Sequence, residues 1–199
     1  MLKGVDSLLL GVLALQGNFV EHIQKLNKLN IEAIEVRTPE ELAKVNGLII
    51  PGGESLPIQK LLIVNKLRKP LEEAIKKGLP VFGTCAGSIL LSKKVIGTKV
   101  FSFGAIDVSI ERNAYGTQQD SFKKTIQGNG FSGHKAVFIR APKIQKTGKN
   151  VKILATLGEN PVLCEQGNIL IATFHPEMTD DNSFHKYFVE KCRAFKNRN

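Results

Sequence analysis

Apolar positions along the first half of the chain follow two alternating periods. Continuous apolar runs of strand length occur at residues 8–15, LLLGVLAL, and again at GLIIPGG and LPVFG, as strands buried on both faces require. Between them the period lengthens to that of a helix. In NFVEHIQKLNKLN the residues Phe19, Ile23 and Leu26 share one face, and Gln16-Gly17 marks the turn that leads into it. IEAIEV predicts a short strand. TPEE opens a helix with Thr38 as N-cap, Pro39 at the first position and Glu41 closing a capping box. Residues 57–77 are helical in composition but contain Pro70, which predicts two pieces. Another helix is expected just past Cys85. Alternation of this kind specifies a parallel sheet with helices on both faces.

The second half changes character. AIDVSIERN, AVFIRAP, VKILATL, PVLCEQ and NILIATF read as strands with few helices between them, and Gln166-Gly167-Asn168 reads as a hairpin turn. Mixed or antiparallel pairing is therefore added to the parallel core. A closing helix, NSFHKYFVEKCRAF, places Phe184, Phe188, Cys192 and Phe195 on one stripe. No repeat, low-complexity tract or linker divides the chain, so residues 1–199 are expected to form a single α/β domain: a mostly parallel twisted sheet, helices on both faces, and added antiparallel strands.

Composition narrows the class. With 199 residues, 42% of them hydrophobic, the chain can bury a large core without covalent staples. Three cysteines, an odd number at irregular spacing, argue against a disulfide framework and for a reducing compartment. MLKGVDSLLLGVLALQG has no small-residue cleavage site and reads as a strand rather than a signal peptide, and no apolar run approaches the roughly eighteen residues that span a bilayer. A soluble cytoplasmic protein without a membrane association is expected. The net charge of +10 is scattered over KLRKPLEEAIKK, FKKTIQ, APKIQKTGKNVK and EKCRAFKNRN, which reads as a solvated basic surface, with an acidic protein partner as the second reading. A nucleic-acid partner is not expected: there is no zinc spacing, no aromatic-rich RNA-binding strand and no tryptophan.

The chemistry concentrates at LPVFGTCAGSILL. A strand turning sharply into a helix holds the turn residue in a strained, exposed position, and Gly83 and Gly87 are the small neighbours that permit it. Cys85 is then a nucleophile at a helix N-terminus, a setting that favours the thiolate, and the Ala86 N–H is placed to stabilise an oxyanion. Among the four histidines, His22 and His185 lie in amphipathic helices and His134 in a Gly-bounded loop, where surface or packing roles suffice. His175 differs. It ends an apolar strand as His-Pro-Glu, Pro176 biases it towards extended geometry, and Glu177, two residues on, orients the imidazole from the same side. Cys85, His175 and Glu177 thus form a triad. In IIPGGES the glycines let backbone N–H groups face a ligand, so Gly52 or Gly53 completes the oxyanion hole with Ala86. Cys164 and Cys192 read as small core residues.

GTCAG, FHPE and PGGES together resemble the class I, triad-type glutamine amidotransferases. GVLALQG, GLIIPGGES, VFGTCAG, ERNAYGTQQDSF, FIRAP and FHPEMTDD, in this order, are similar more narrowly to the glutaminase subunits of pyridoxal 5′-phosphate synthases, for which ERNAYG, DSF and FIRAP are specific. The resemblance implies a flavodoxin-like sheet and hydrolysis of L-glutamine at Cys85, with His175 as general base and acid. It implies that glutamine is held at Gly53, Glu54, Ser55, Arg112, Ile139 and Arg140, with no cofactor and no metal. It also implies a partner, a (β/α)₈-barrel synthase subunit that receives the ammonia. An arginine following a strand, such as Arg112 or Arg140, suits the α-carboxylate of the substrate through a bidentate pair. The chain departs from the family at Leu56-Pro57 and IQKLL, where two hydroxyl residues and a pair of arginines are usual; Pro57 suits the start of a helix capped by Ser55. Two other readings stay open: the glutaminase of another amidotransferase, such as imidazole glycerol phosphate synthase, and a decayed subunit kept as scaffold or regulator.

Overall fold

The apolar runs of the first half become the parallel strands of one central sheet. The computed structural model describes residues 8–98, 100–114 and 121–198; residues 115–120 of the ERNAYGTQQDSF segment lie outside them. In chain order the first half comprises β1 (Leu9–Leu13), α1 (Phe19–Lys28), β2 (Glu32–Val36), α2 (Pro39–Leu42), β3 (Leu48–Ile50), α3 (Ser55–Val64), α4 (Arg68–Lys76), β4 (Val81–Thr84) and α5 (Ala86–Leu91). The second half comprises β5 (Ser92–Ile96), β6 (Ile106–Glu111), β7 (Ser121–Thr125), β8 (Lys135–Ile139), β9 (Lys143–Thr147), β10 (Lys152–Leu157), β11 (Asn160–Gln166), β12 (Ile169–Ala172), a 3₁₀ turn (Pro176–Met178) and α6 (Ser183–Lys196).

The seven-stranded sheet has the order β10-β11-β12-β4-β3-β1-β2. Strands β2, β1, β3, β4 and β12 pair in parallel, while β11 and β10 add antiparallel strands at one edge. Period-two alternation divides each strand between two cores. Leu48, Ile50, Val81, Ile169 and Ile171 pack with Ile58, Leu62, Leu71 and Leu90 of the helices on one face. Leu10, Val12, Ile49, Phe82 and Leu170 pack with Leu26, Phe184 and Phe188 of α1 and α6 on the other. Two small sheets, β5-β6-β9 and β7-β8, lie against this core.

Most local expectations are met with their causes visible. Thr38 caps α2, accepting from the Glu41 N–H while the Glu41 carboxylate accepts from the Thr38 N–H. Gly167-Asn168 joins β11 to β12 as a two-residue hairpin loop, with Gly167 at φ 57°. The break in the 57–77 helix is displaced, however. It falls at residues 65–67, where Lys66 adopts φ 56°, and Pro70 sits inside the first turn of α4, where its missing N–H has no intrahelical acceptor to lose. Likewise α3 begins at Ser55 rather than being capped by it: Glu54 is the N-cap, without a side-chain cap bond, and Pro57 again occupies the first turn. Strands β5, β7 and β9 carry no strong apolar pattern and were not expected.

The basic clusters are largely solvated, as at Arg68, Lys69, Lys76 and Lys77. Lys25 is the exception: buried, it points its ammonium at the carbonyls of Thr179 and Asp181, pinning the loop after the 3₁₀ turn. Among the described residues no helix is long and apolar enough to cross a membrane.

Candidate active site

The five parallel strands end on the same edge of the sheet, and the loops leaving β1, β3, β4 and β12 line the site, as is usual in open α/β sheets. Cys85 follows β4 and His175 follows β12. These strands are neighbours, and the register Ala172 opposite Thr84 continues into a bond from the Cys85 N–H to the Ala172 carbonyl, 2.9 Å. Cys85 itself holds φ 47° and ψ −104° as N-cap of α5, a strained conformation for a residue with a side chain. The glycines make the turn possible. A Cβ on Gly83 would lie 2.6 Å from the Gly87 backbone, one on Gly87 2.1 Å from the Ile50 carbonyl oxygen, and one on Gly52 2.4 Å from the His175 ring. Each position is forced to be glycine by a neighbour that already occupies the space.

His175 stands beside Cys85 on the cavity wall, and the Cys85 sulfur lies 3.8 Å from the Ile139 carbonyl oxygen. The His175 Nδ1 meets Glu177 Oε1 at 2.7 Å. This contact was expected from extended geometry, yet residues 176–178 form a 3₁₀ turn, so it is the turn rather than strand alternation that brings the carboxylate beneath the ring. Burial opposes a charged imidazole, but the Cys85 and Glu177 contacts outweigh it and raise His175 to about 10. Burial likewise opposes the Glu177 carboxylate; the His22 and His175 imidazoles outweigh it and hold the group at about 2. A proton therefore resides on His175 at neutral pH, ready for donation, with an anionic partner fixing the ring.

A cavity of about 360 Å³ opens at this edge. Its walls include Gly53, Glu54, Ser55, Cys85, Ala86, Arg112, Ile139, Arg140 and His175, so every residue anticipated for the site lines it except Glu177, which lies behind His175. Gln16, Gly17, Asn18, Ile89 and Asn113 complete it. The Ala86 N–H, in the first turn of α5, has no intrahelical acceptor. The Ser55 hydroxyl is buried without a hydrogen-bond partner. Arg112 follows β6 and Arg140 follows β8; Arg140 takes φ 41° and stands 4.0 Å from Glu54 across the mouth, both side chains well exposed. The Gln16 amide oxygen accepts from the Glu54 N–H at 2.8 Å, linking the β1 loop to the Gly52-Gly53 turn. Among the described residues no group of three or more His, Cys, Asp and Glu side chains is arranged to hold a metal ion.

Behind the site lies a layer that the sequence reading left as packing. Asn18 Nδ2 donates to Glu177 Oε1 at 3.1 Å, and the buried His22 and His185 stand beneath the carboxylate. The signal was present: His22 falls at the helical spacing of Phe19 and Leu26, on the face that turns inward. His134 pairs with Asp181 between the rings of Phe131 and Phe184, a structural role as expected.

The family model of the SNO glutamine amidotransferase family matches residues 12–194. A pyridoxal 5′-phosphate synthase subunit PdxT of Thermosipho africanus is 50% identical over 185 residues, covering 92% of this chain and 98% of that protein. PdxT of Thermotoga maritima is 48% identical over 186 residues, covering 92% and 99%. A crystal structure of a glutamine amidotransferase matches with a TM-score of 0.88 and 42% identity over 92% of this chain and 98% of that one. PurLQS from Thermotoga maritima shares the fold alone, with a TM-score of 0.66 and 15% identity over 94% and 99%.

Two predictions follow from the electrostatics. Cys164 and Cys192 are fully buried, and burial pushes the Cys164 thiol up to about 12 and Cys192 higher still. Iodoacetamide applied to the folded chain should therefore alkylate Cys85 first, with the other two reacting only after denaturation; peptide mapping that finds Cys164 labelled as fast as Cys85 contradicts this. Because the folded Glu177 value lies below its ordinary 4.5, its contribution to stability is present above that pH and fades as pH falls towards 2. The Tm of Glu177→Gln should accordingly lie below wild type at neutral pH, and the gap should narrow on acidification; a gap independent of pH would show that the charge contributes nothing.

Proposed function

The chain belongs to the SNO glutamine amidotransferase family, and from that membership we propose that it is the glutaminase subunit of a pyridoxal 5′-phosphate synthase, supplying ammonia for vitamin B6 biosynthesis. The observation that carries the reading is the hydrogen-bonded His175–Glu177 pair standing beside Cys85 in a cavity that also presents two arginines. In this reading residues 1–199 act as one glutaminase domain, in the cytoplasm, where the three free thiols stay reduced.

Glutamine enters with its α-carboxylate towards Arg112 and Arg140 and its carboxamide towards Cys85, while Gly53, Glu54, Ser55 and Ile139 frame it. Cys85 passes its thiol proton to His175 and the sulfur attacks the carboxamide carbon; the resulting oxyanion is held by the N–H groups of Ala86 and Gly53. As the tetrahedral species collapses, the C–N bond breaks and His175 gives its proton to the departing nitrogen, releasing ammonia and leaving a glutamyl thioester. Water, deprotonated by His175, then attacks the thioester; the C–S bond breaks and glutamate leaves. Glu177 keeps the imidazole in orientation throughout. The ammonia passes to the synthase subunit, a (β/α)₈ barrel in the family this chain resembles. Leu56, where that family has a hydroxyl residue, is half-exposed beside the cavity.

A glutaminase assay with and without the cognate synthase tests this reading. Cys85→Ala should abolish ammonia release with the fold preserved, since the turn already accommodates small residues; retained hydrolysis would remove Cys85 as nucleophile. The isolated chain should be a poor glutaminase that the synthase activates. The Pro51-Gly52-Gly53 turn supplies a physical switch, because its glycines permit a peptide flip that exchanges a carbonyl for an N–H facing the substrate. Gln16, bonded to that turn, is placed to sense the partner. A Cβ on Gly53 would lie 2.5 Å from the Gln16 amide oxygen, so Gly53→Val should lose stimulation while still binding the synthase. Full activity of the chain alone, unchanged by synthase, would show that the site is permanently assembled.

A further inference from the structure

Glu177 is an anion enclosed on all sides, and its two oxygens are treated differently. Oε1 receives His175 and Asn18. Oε2 has no hydrogen-bond partner, and His22 Nε2 lies 3.3 Å from it. A carboxylate oxygen buried in this way needs a donor, and leaving it without one is costly. The state of His22 therefore decides whether Glu177 is secured.

That state can be worked out from the contacts of both ring nitrogens. Burial lowers His22 and His185 from their ordinary value, against the pull of the Glu177 charge, and so favours the neutral imidazoles; each then carries one N–H. His22 Nδ1 lies 2.8 Å from His185 Nε2, and His22 Nε2 lies 3.2 Å from Thr84 Oγ1 as well as beside Glu177. If the His22 proton were on Nδ1, a bare lone pair on Nε2 would face the Glu177 oxygen, and the His185 N–H would be left on its buried Nδ1, which has no partner. With the proton on Nε2, His22 presents its N–H to Thr84 Oγ1 and to the adjacent Glu177 Oε2, its Nδ1 accepts from His185 Nε2–H, and His185 Nδ1 is only an unused acceptor. The second arrangement satisfies every donor; the first leaves one unsatisfied and adds a repulsion.

We infer that His22, held in its Nε2–H tautomer by His185, is a positioning residue for the glutaminase reaction, securing the second oxygen of Glu177 and through it the orientation of His175. The inference rests on the triad reading given above. The same imidazole touches Thr84, the residue before the nucleophile, so one side chain of α1 braces both the strand that carries Cys85 and the turn that carries Glu177. The charged and titratable groups facing Glu177 are His22 and Lys25 of α1, His185 of α6 and His175 of the preceding loop; Glu21 and Asp180 stand at the outer side of the same turn.

The test uses the complex with the cognate synthase and measures kcat and KM for glutamine across pH. His22→Leu removes the donor and should lower kcat by about tenfold or more, in line with outer partners that fix a functional imidazole, with KM nearly unchanged. A Glu177 deprived of its donor is a stronger base, so the acid limb of the kcat profile should move to higher pH. His22→Gln, whose amide reaches the Nε2 position, should recover most of kcat and return the limb towards wild type. Should the leucine variant not fold, the double substitution His22→Phe with His185→Phe replaces both imidazoles by apolar rings, so that neither ring leaves the other unpaired while Glu177 Oε2 still lacks its donor, and carries the same expectation. A folded variant of either kind with wild-type kcat and an unmoved acid limb overturns the inference, as does a glutamine variant no better than leucine. Hydrolysis surviving in Cys85→Ala would instead overturn the triad reading, so the two failures are distinguishable.

Discussion

The parallel pairing of β4 with β12 is the contact on which the site depends. Cys85 and His175 belong to opposite halves of the sequence, and nothing local brings them together. The ladder does so by fixing Ala172 opposite Thr84, and its last bond, Cys85 N–H to the Ala172 carbonyl, leaves the two loops emerging side by side. Any slip of that register by one residue would turn Phe82 and Leu170 out of one core and into the other. The two apolar cores therefore hold the spacing of Cys85 and His175 as a by-product of their own packing.

Steric crowding refines what the ladder sets up. Gly52, Gly83 and Gly87 are neighbours of the nucleophile where the backbone of one loop touches a ring or carbonyl of the next. Cys85 is the one residue among them that bears a side chain, and it accepts a left-handed conformation to point that side chain into the cavity. The contrast between the enforced glycines and the strained cysteine aims the sulfur at the imidazole.

Much of this was legible in the sequence, and the limits have physical reasons. The parallel strands, the capping box at Thr38 and the strand-to-helix turn at Cys85 rest on strong local signals, and each stands where expected. The strands SKKVI, SFKKT and KIQKT were missed because they belong to small sheets with much of their length in solvent, where pairing leaves no apolar period to read. The helix break was sought at Pro70 because proline interrupts helices, but proline in a first turn begins one, and Lys66 made the break instead. The His175–Glu177 contact was anticipated with the wrong backbone, since turn and strand geometry both reach from one residue to the second after it. His22 was passed over because a histidine on an amphipathic helix has no meaning until the helix is docked against a buried carboxylate.

The two arginines at the cavity mouth stand on supports of unequal stiffness. Arg140 follows β8, and the carbonyl of Val137 in that strand takes the N–H of His175, so this arm is bolted to the reacting centre. Arg112 follows β6, whose partners are β5 and β9 of a separate small sheet. Substitutions in that sheet can shift Arg112 without reaching the loop that carries His175. The fold thus lets the position of Arg112 at the rim change independently of the Cys85–His175–Glu177 cluster, which the central sheet holds.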